Sequence, residues 1–398
     1  MKALENLKIL DFTTLLPGPY ATLMLSDMGA DIIKISSPQR KDLVLEYEPF
    51  IEGTELSANA AWLGRNKKNI FLDLKNEAVT QIVYELVKEY DIVIEQFRPG
   101  VMERLGLGYE SLKKINPKII YCSLTGYGQY GDMASKAGHD CNYMARSGNL
   151  SMAGDLESGP PMTNMQIADI CSGSMNSIIG ILAAVNYRHM TGKGQYIDVS
   201  MEDGLIPLLG MEGIRYLTTG EKPGRQKHRL NGGSIYGYYR TKDDEYLSVG
   251  SLEPKFWKTF CEIIGCKELI EDGCEPINLN ETKTIIQNRI LEKTRDEWME
   301  LFSKADSCVE PVLSVSEALH DPHIQARNMV VSTSVPKEIR NENTPEKTQQ
   351  LGFPIHFSES KVTYDTCGYP LGFHTKEVME SMGFDYEKLK EKGTFGNV

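Results

Sequence analysis

The sequence predicts an α/β protein in which a mostly parallel sheet with crossover helices is followed by a smaller α+β domain. Three observations carry that reading. In the first 130 residues, short apolar runs alternate with helical patterns, the signature of parallel strands joined by crossover helices. The chain has 398 residues, which suits two domains or one large domain with an insertion. From about residue 230 the pattern changes to a hairpin followed by helices.

Taken in order, the strand candidates are LKILDFT, DIIKIS, NIFLDL, DIVIEQF and KIIYCSLTG. Between the third and fourth, Val79, Ile82, Val83, Leu86, Val87 and Tyr90 recur at three-and-four spacing and give one apolar helical face. CSGSMNSIIGILAAVNYRHM reads as a buried helix packed through small residues and stopped at TGKG, after which QYIDVSM returns to strand. Residues 1–200 thus form the first part of the large domain, and 201–230 are linker helices. Residues 231–324 form the small α+β domain: YGYYRTKDDEYLSVGS is a hairpin turning at Lys242 to Glu245, with helical patterns at 254–265, 281–294 and 296–304. The return segment, 325–398, has extended runs and a final amphipathic helix, and it completes the large domain.

Composition narrows the function classes. At 41% apolar and 25% charged the chain is ordinary globular protein, and no apolar run reads as long enough to cross a bilayer. MKALENLKILDF has no export leader, and the eight cysteines lie apart without CxxC pairs, as reduced thiols of a cytoplasmic protein do. A net charge of -12 disfavours nucleic acid but leaves room for a local basic pocket that takes a small anion.

The motifs are uneven. Gly126, Gly128 and Gly131 spell G-x-G-x-x-G, but after the fifth strand candidate and without a following helical pattern, so a dinucleotide site is not expected. There is no G-x-S-x-G, no H-E-x-x-H and no P-loop, and His320 and His323 in HDPH read as loop residues rather than metal ligands. AGHDCNYMARSG concentrates His139, Asp140, Asn142 and Tyr143 in a Gly-flanked stretch. Alone, His139 reads as a loop histidine satisfied by backbone, and Asp169 as a helix N-cap or first-turn acid. Basic residues gather at Arg65, Lys67 and Lys68 before a strand and at Arg98 after one, with Arg40 and Lys41 nearby. Strand ends of parallel sheets are where anionic cofactors dock, so these residues are candidates for a phosphate pocket. Glu253 ends a strand before Pro254.

Taken together, the motifs resemble the class III CoA-transferase family, the group that contains formyl-CoA transferase, carnitine CoA-transferase and α-methylacyl-CoA racemase. LLPGPYATLMLSDMGADIIKI, RNKKNIFLDLK, RPGVMERLGLGYESL, NPKIIYCSLTGYGQYG, TGKGQYIDVSMED, DPHIQARNMV and PLGFHTKEVMESMG resemble family blocks in the expected order. GHDCNY and GSLEPKFW resemble the racemase branch, and the transferase glycine-rich loop is not evident in LNGGSIYGYY. Two departures stand out: SSP replaces the acid or arginine expected before proline after the second strand, and Asn164 lies one position off its expected place.

The resemblance implies a Rossmann-like large domain built from both chain ends, an inserted small domain and an interlocked homodimer. It also implies an acyl-CoA substrate, with no cofactor beyond the CoA moiety and no metal, nucleic-acid or membrane partner. On the racemase reading, His139 and Asp169 flank the α-carbon of a 2-methylacyl-CoA and exchange protons on opposite faces. Glu253 orients the imidazole, with Asp140 as a second candidate, and backbone N–H groups of Gly138 to Asp140 face the enolate oxygen. Arg65, Lys67, Lys68, Arg98 and Arg40 contact CoA. On the transferase alternative, Asp169 attacks the thioester and passes through an anhydride to an aspartyl-CoA thioester. A third possibility is an inactive relative that only binds acyl-CoA.

Overall fold

Six parallel strands form the frame that carries the candidate site. The computed structural model describes residues 1–396. In it β1 (Lys8–Phe12), β2 (Asp31–Ser36), β3 (Lys68–Phe71), β4 (Ile92–Glu95), β5 (Ile120–Thr125) and β6 (Tyr196–Ser200) lie in the order β3-β2-β1-β4-β5-β6. All neighbours are parallel. The order reverses between β1 and β4, which makes the carboxyl ends of those strands the place where a doubly wound sheet receives ligands.

The strands read as continuous apolar runs because both faces are covered. Ile9 and Leu10 show the division, since neighbouring side chains of a strand point to opposite faces. On one face Ile9, Ile32, Ile94 and Cys122 pack with Met24 and Leu25 of α1 (Pro17–Asp27) and with Ile178 and Ile181 of a later helix. On the other, Leu10, Ile33, Val93 and Tyr121 pack with Val79, Ile82, Val83 and Leu86. Those last four form the buried stripe of α3 (Glu77–Leu86), which follows α2 (Ala58–Leu63) and starts where the Asn76 side chain accepts the Ala78 N–H. Next come α4 (Val101–Arg104), α5 (Tyr109–Ile115) and α6 (Asp140–Arg146).

The expected buried helix is half right. A π-helical turn, Ala168–Ser174, leads directly into α7 (Met175–Thr191). Only the inner face of α7 is covered, while Ile179 and Met190 are exposed. The continuous helix Ala168–Thr191 has 24 residues and is, by length and composition, apolar enough to span a bilayer, contrary to the sequence reading. Half of its most apolar stretch is buried against the fold, as in a core helix.

The chain divides into two units. The first holds Met1–Ser147, Met165–Ile206 and everything described from Pro322 onward; the second holds Gly148–Asn164 and Pro207–Asp321. This moves two boundaries. The stretch Gly148–Asn164, expected in the large domain, joins the second unit, as do most of the linker residues. Arg225 explains the grouping: it donates from Nε to the Ala153 carbonyl at 2.7 Å and from Nη2 to the Leu150 carbonyl at 2.9 Å.

In the second unit, α8 (Gly210–Thr219) precedes an antiparallel sheet of β7 (Gly237–Arg240), β8 (Tyr246–Val249) and β9 (Val309–Pro311). With it go α9 (Pro254–Ile264), α10 (Leu279–Ile290), α11 (Arg295–Phe302) and α12 (Val315–His320). Its core is aromatic: Trp257 stacks on Phe260 and Phe260 on Phe302, with ring centroids 5.7 and 5.9 Å apart.

The return segment belongs to the first unit. It adds α13 (Pro322–Ala326), the antiparallel pair β10 (Val330–Ser334) and β11 (Lys347–Leu351), and two short helices, α14 (Thr375–Ser381) and α15 (Tyr386–Glu391), where one amphipathic helix was expected. Thr375 and His374 fasten α14 to β3, accepting the Phe71 N–H at 3.0 Å and the Asn69 N–H at 3.1 Å.

Candidate active site

Two short elements bring three predicted residues together in the first unit. His139 is the N-cap of α6 in extended conformation, and Asp140 opens its first turn. Asp169 lies in the π-helical turn before α7. The two elements meet where the Asp169 backbone N–H donates to Asp140 Oδ1 at 3.0 Å. His139 is exposed and Asp169 half-buried.

A buried tyrosine underlies this corner. Tyr143 O–H donates to the Gly138 carbonyl at 2.6 Å and packs edge-on against Tyr127, with centroids 5.0 Å apart. Its ring occupies the space that side chains at 126 and 138 would need: a Cβ on Gly126 would lie 2.5 Å from the ring, and one on Gly138 2.7 Å. Gly126 of the G-x-G-x-x-G pattern is therefore a packing requirement for Tyr143.

Electrostatics single out Asp169. Burial pushes its carboxyl up to about 7, and the charge of Asp140 adds to the rise. Such a group exists in both protonation states at neutral pH, as a general acid–base requires. Asp140 ties the two elements together, since its Oδ1 holds the Asp169 N–H. The backbone donors expected between Gly138 and Asp140 change, since the His139 N–H donates to Asn142 Oδ1 at 3.0 Å. Glu253 lies in the second unit, exposed, as the N-cap of α9.

The family profile of CoA-transferase family III matches residues 4–375. The chain belongs to CoA-transferase family III. Relatives span both of its chemistries. The chain is 32% identical over 390 residues to alpha-methylacyl-CoA racemase of Homo sapiens, covering 97% of this chain and 95% of that protein. It is 34% identical over 337 residues to acetyl-CoA:oxalate CoA-transferase of Acetobacter aceti, covering 83% and 85%. A CAIB/BAIF family protein from Brucella suis superposes with a TM-score of 0.83 at 28% identity, over 96% of this chain and 99% of that one.

The basic residues singled out as CoA contacts in this family III chain separate into two groups. Arg65 is 1% exposed and its guanidinium is consumed inside the unit. It donates from Nε and Nη2 to both oxygens of Asp27 at 2.9 and 2.5 Å, and from Nη1 to Gln350 Oε1 and the Leu351 carbonyl, both at 3.0 Å. Lys67 is buried too, with Nζ donating to the Pro19 carbonyl at 2.9 Å and to Thr22 Oγ1 at 2.6 Å, and 3.9 Å from Asp11. Burial pushes its ammonium down to about 7. Arg65 and Lys67 are thus structural pins in this fold, not the open phosphate contacts expected. Lys68 pairs with Glu377 at 2.9 Å across the outer edge of the sheet. Arg98 and Arg40 are exposed beyond the carboxyl ends of β4 and β2.

Two features escaped the sequence. Glu95, the last residue of β4, is buried, accepts the Phe97 N–H at 2.7 Å and is pushed by burial up to about 7. The signal was a lone acid ending the apolar run DIVIEQF. The other is the π-helical turn, for which the sequence offered only the small residues of SGS. His320 Nδ1 lies 2.8 Å from the Ser316 carbonyl within α12, and no group of three or more metal-ligating side chains occurs among the described residues.

Proposed function

We propose that the protein is an acyl-CoA racemase or epimerase that inverts the α-carbon of a 2-methylacyl-CoA-type thioester. The observation that supports this best is the joining of Asp169, its carboxyl raised to about 7, to the helix end that begins at His139. One of the two groups takes the α-proton and leaves an enolate; the other, protonated, delivers a proton to the opposite face. A carboxyl raised to about 7 is present in both protonation states near neutral pH, so Asp169 can act as base in one direction and as acid in the other. Arg98 and Arg40 hold CoA phosphates. The reaction uses no cofactor beyond the CoA moiety.

The working form in this proposal is a cytoplasmic homodimer. Its support is α8, which has no buried residue and exposes Met211, Ile214 and Leu217, a face that a second copy can cover. All eight cysteines are free, as a reducing compartment keeps them.

The similarity to acetyl-CoA:oxalate CoA-transferase favours a second reading, in which Asp169 is the nucleophile that carries CoA between acids. Incubation with (S)-2-methylacyl-CoA in deuterated water separates the readings. Incorporation of α-deuterium without an acceptor acid supports racemisation. CoA transfer to a second acid without exchange makes the protein a transferase, and failure to turn over any acyl-CoA leaves only a binding protein.

A further inference from the structure

Asp169 is held at both of its backbone ends. Its N–H is taken by Asp140 Oδ1, and its carbonyl accepts from Ser174 Oγ at 3.0 Å, five residues along the chain. The Ser174 hydroxyl is fully buried and shares its proton with the Pro17 carbonyl, 2.6 Å away at the start of α1. The same turn carries a second tie, from Ser172 Oγ to the Met201 carbonyl at 2.6 Å. Between the two serines Gly173 lets the chain pass close to α1, where a Cβ would lie 3.3 Å from Pro17 Cβ and 3.0 Å from Met201 Cγ. At the end of the turn the Met175 N–H reaches back five residues to the Ile170 carbonyl.

A π-helical turn holds one residue more than an α-helical turn over the same rise, and such insertions recur at functional sites. The register of α7 is set independently by Ile178, Ile181, Ala184 and Val185 on its buried face. Removing the insertion would therefore swing Asp169 by about 100° around the helix axis relative to that anchored face.

We infer that Ser174 is a positioning residue for Asp169: its hydroxyl, pinned to α1 at Pro17, keeps the π-helical insertion open and so aims the working carboxylate. The inference rests on Asp169 being that carboxylate, which both the racemase and the transferase readings require, and not on the choice between them.

The test compares Ser174→Ala with Ser177→Ala in the full chain. Ser177 loses an equally buried hydroxyl bond, to the Gly173 carbonyl at 2.8 Å, but one of ordinary four-residue spacing. Ser174→Ala is expected to lower kcat about tenfold or more with KM for acyl-CoA within about twofold, while Ser177→Ala leaves both near wild type. A folded Ser174→Ala enzyme with wild-type kcat, or an equal loss in Ser177→Ala, overturns the inference. If Ser174→Ala does not fold, Ser174→Cys, a weaker donor of similar shape, decides by the same criteria. A readout independent of turnover is the titration of the Asp169 carboxyl by ¹³C NMR, assigned by its loss in Asp169→Asn. It should fall from near neutrality in Ser174→Ala and hold in Ser177→Ala, and an unchanged titration in Ser174→Ala refutes the positioning role. Should wild type turn over no acyl-CoA, the functional reading fails while this titration still judges Ser174.

Discussion

Replacing Asp169 by asparagine should make the protein more stable while removing its activity, and the gain should depend on pH in a defined direction. An unfolded aspartate loses its proton near 3.8, whereas Asp169 in the fold holds it to about 7. The sign follows from proton binding. Between those two values the folded state binds the extra proton, so unfolding becomes easier as pH rises; above about 7 both states are ionised and the cost is complete. The full separation corresponds to about 4 kcal/mol, and the carboxyl's partial exposure reduces this to about 2 kcal/mol on a generous allowance for solvent screening. An asparagine side chain carries no charge at any pH and escapes that cost. Urea denaturation at pH 5 and pH 8 measures it: the variant should gain about 2 kcal/mol at pH 8 and less than half of that at pH 5. Equal stability of the two proteins at pH 8, or a gain larger at pH 5 than at pH 8, refutes the claim that burial strains this carboxylate.

Three further outcomes follow from the same geometry. Asp140→Asn keeps an acceptor for the Asp169 N–H but removes the neighbouring charge, so the limb of the pH–rate profile that belongs to Asp169 should move to lower pH; an unmoved limb argues against the coupling. Arg65→Met leaves Asp27 buried without its partner and should cost about 3–5 kcal/mol in urea denaturation, whereas a phosphate-binding Arg65 would change KM and leave stability alone. Arg98→Ala should raise KM for acyl-CoA several-fold with kcat retained, a change that high salt in the wild-type assay partly reproduces; an unchanged KM removes Arg98 from the CoA site.

The large fold was readable because its physics is local and repetitive. Strands covered on both faces must be continuous apolar runs, and the α3 stripe at Val79, Ile82, Val83 and Leu86 announces a helix lying on a sheet. The corner holding His139 and Asp169 was readable only through the resemblance, because each residue alone has a common structural explanation. The fate of Arg65 was not readable. Its partners Asp27, Gln350 and Leu351 stand 38, 285 and 286 residues away, so a basic run that looks solvated in sequence is closed over by the return segment. The π-helical insertion was hidden for another reason: one extra residue in the turn leaves the apolar pattern of α7 intact, and the bond from Ser174 to Pro17 that accompanies it spans 157 residues of sequence. The segment Gly148–Asn164 was misassigned because the Arg225 bonds that draw it into the second unit cross more than seventy residues of sequence.

The central claim, that two bases work on opposite faces of one carbon, is tested most directly by α-proton exchange in the single-base variants. Each pure enantiomer of a 2-methylacyl-CoA is incubated in deuterated water with His139→Ala and with Asp169→Asn. The account predicts that each variant loses racemisation but still exchanges the α-proton of one enantiomer, and that the two variants select opposite enantiomers. Exchange of both enantiomers at equal rates by either variant, or selection of the same enantiomer by both, contradicts it.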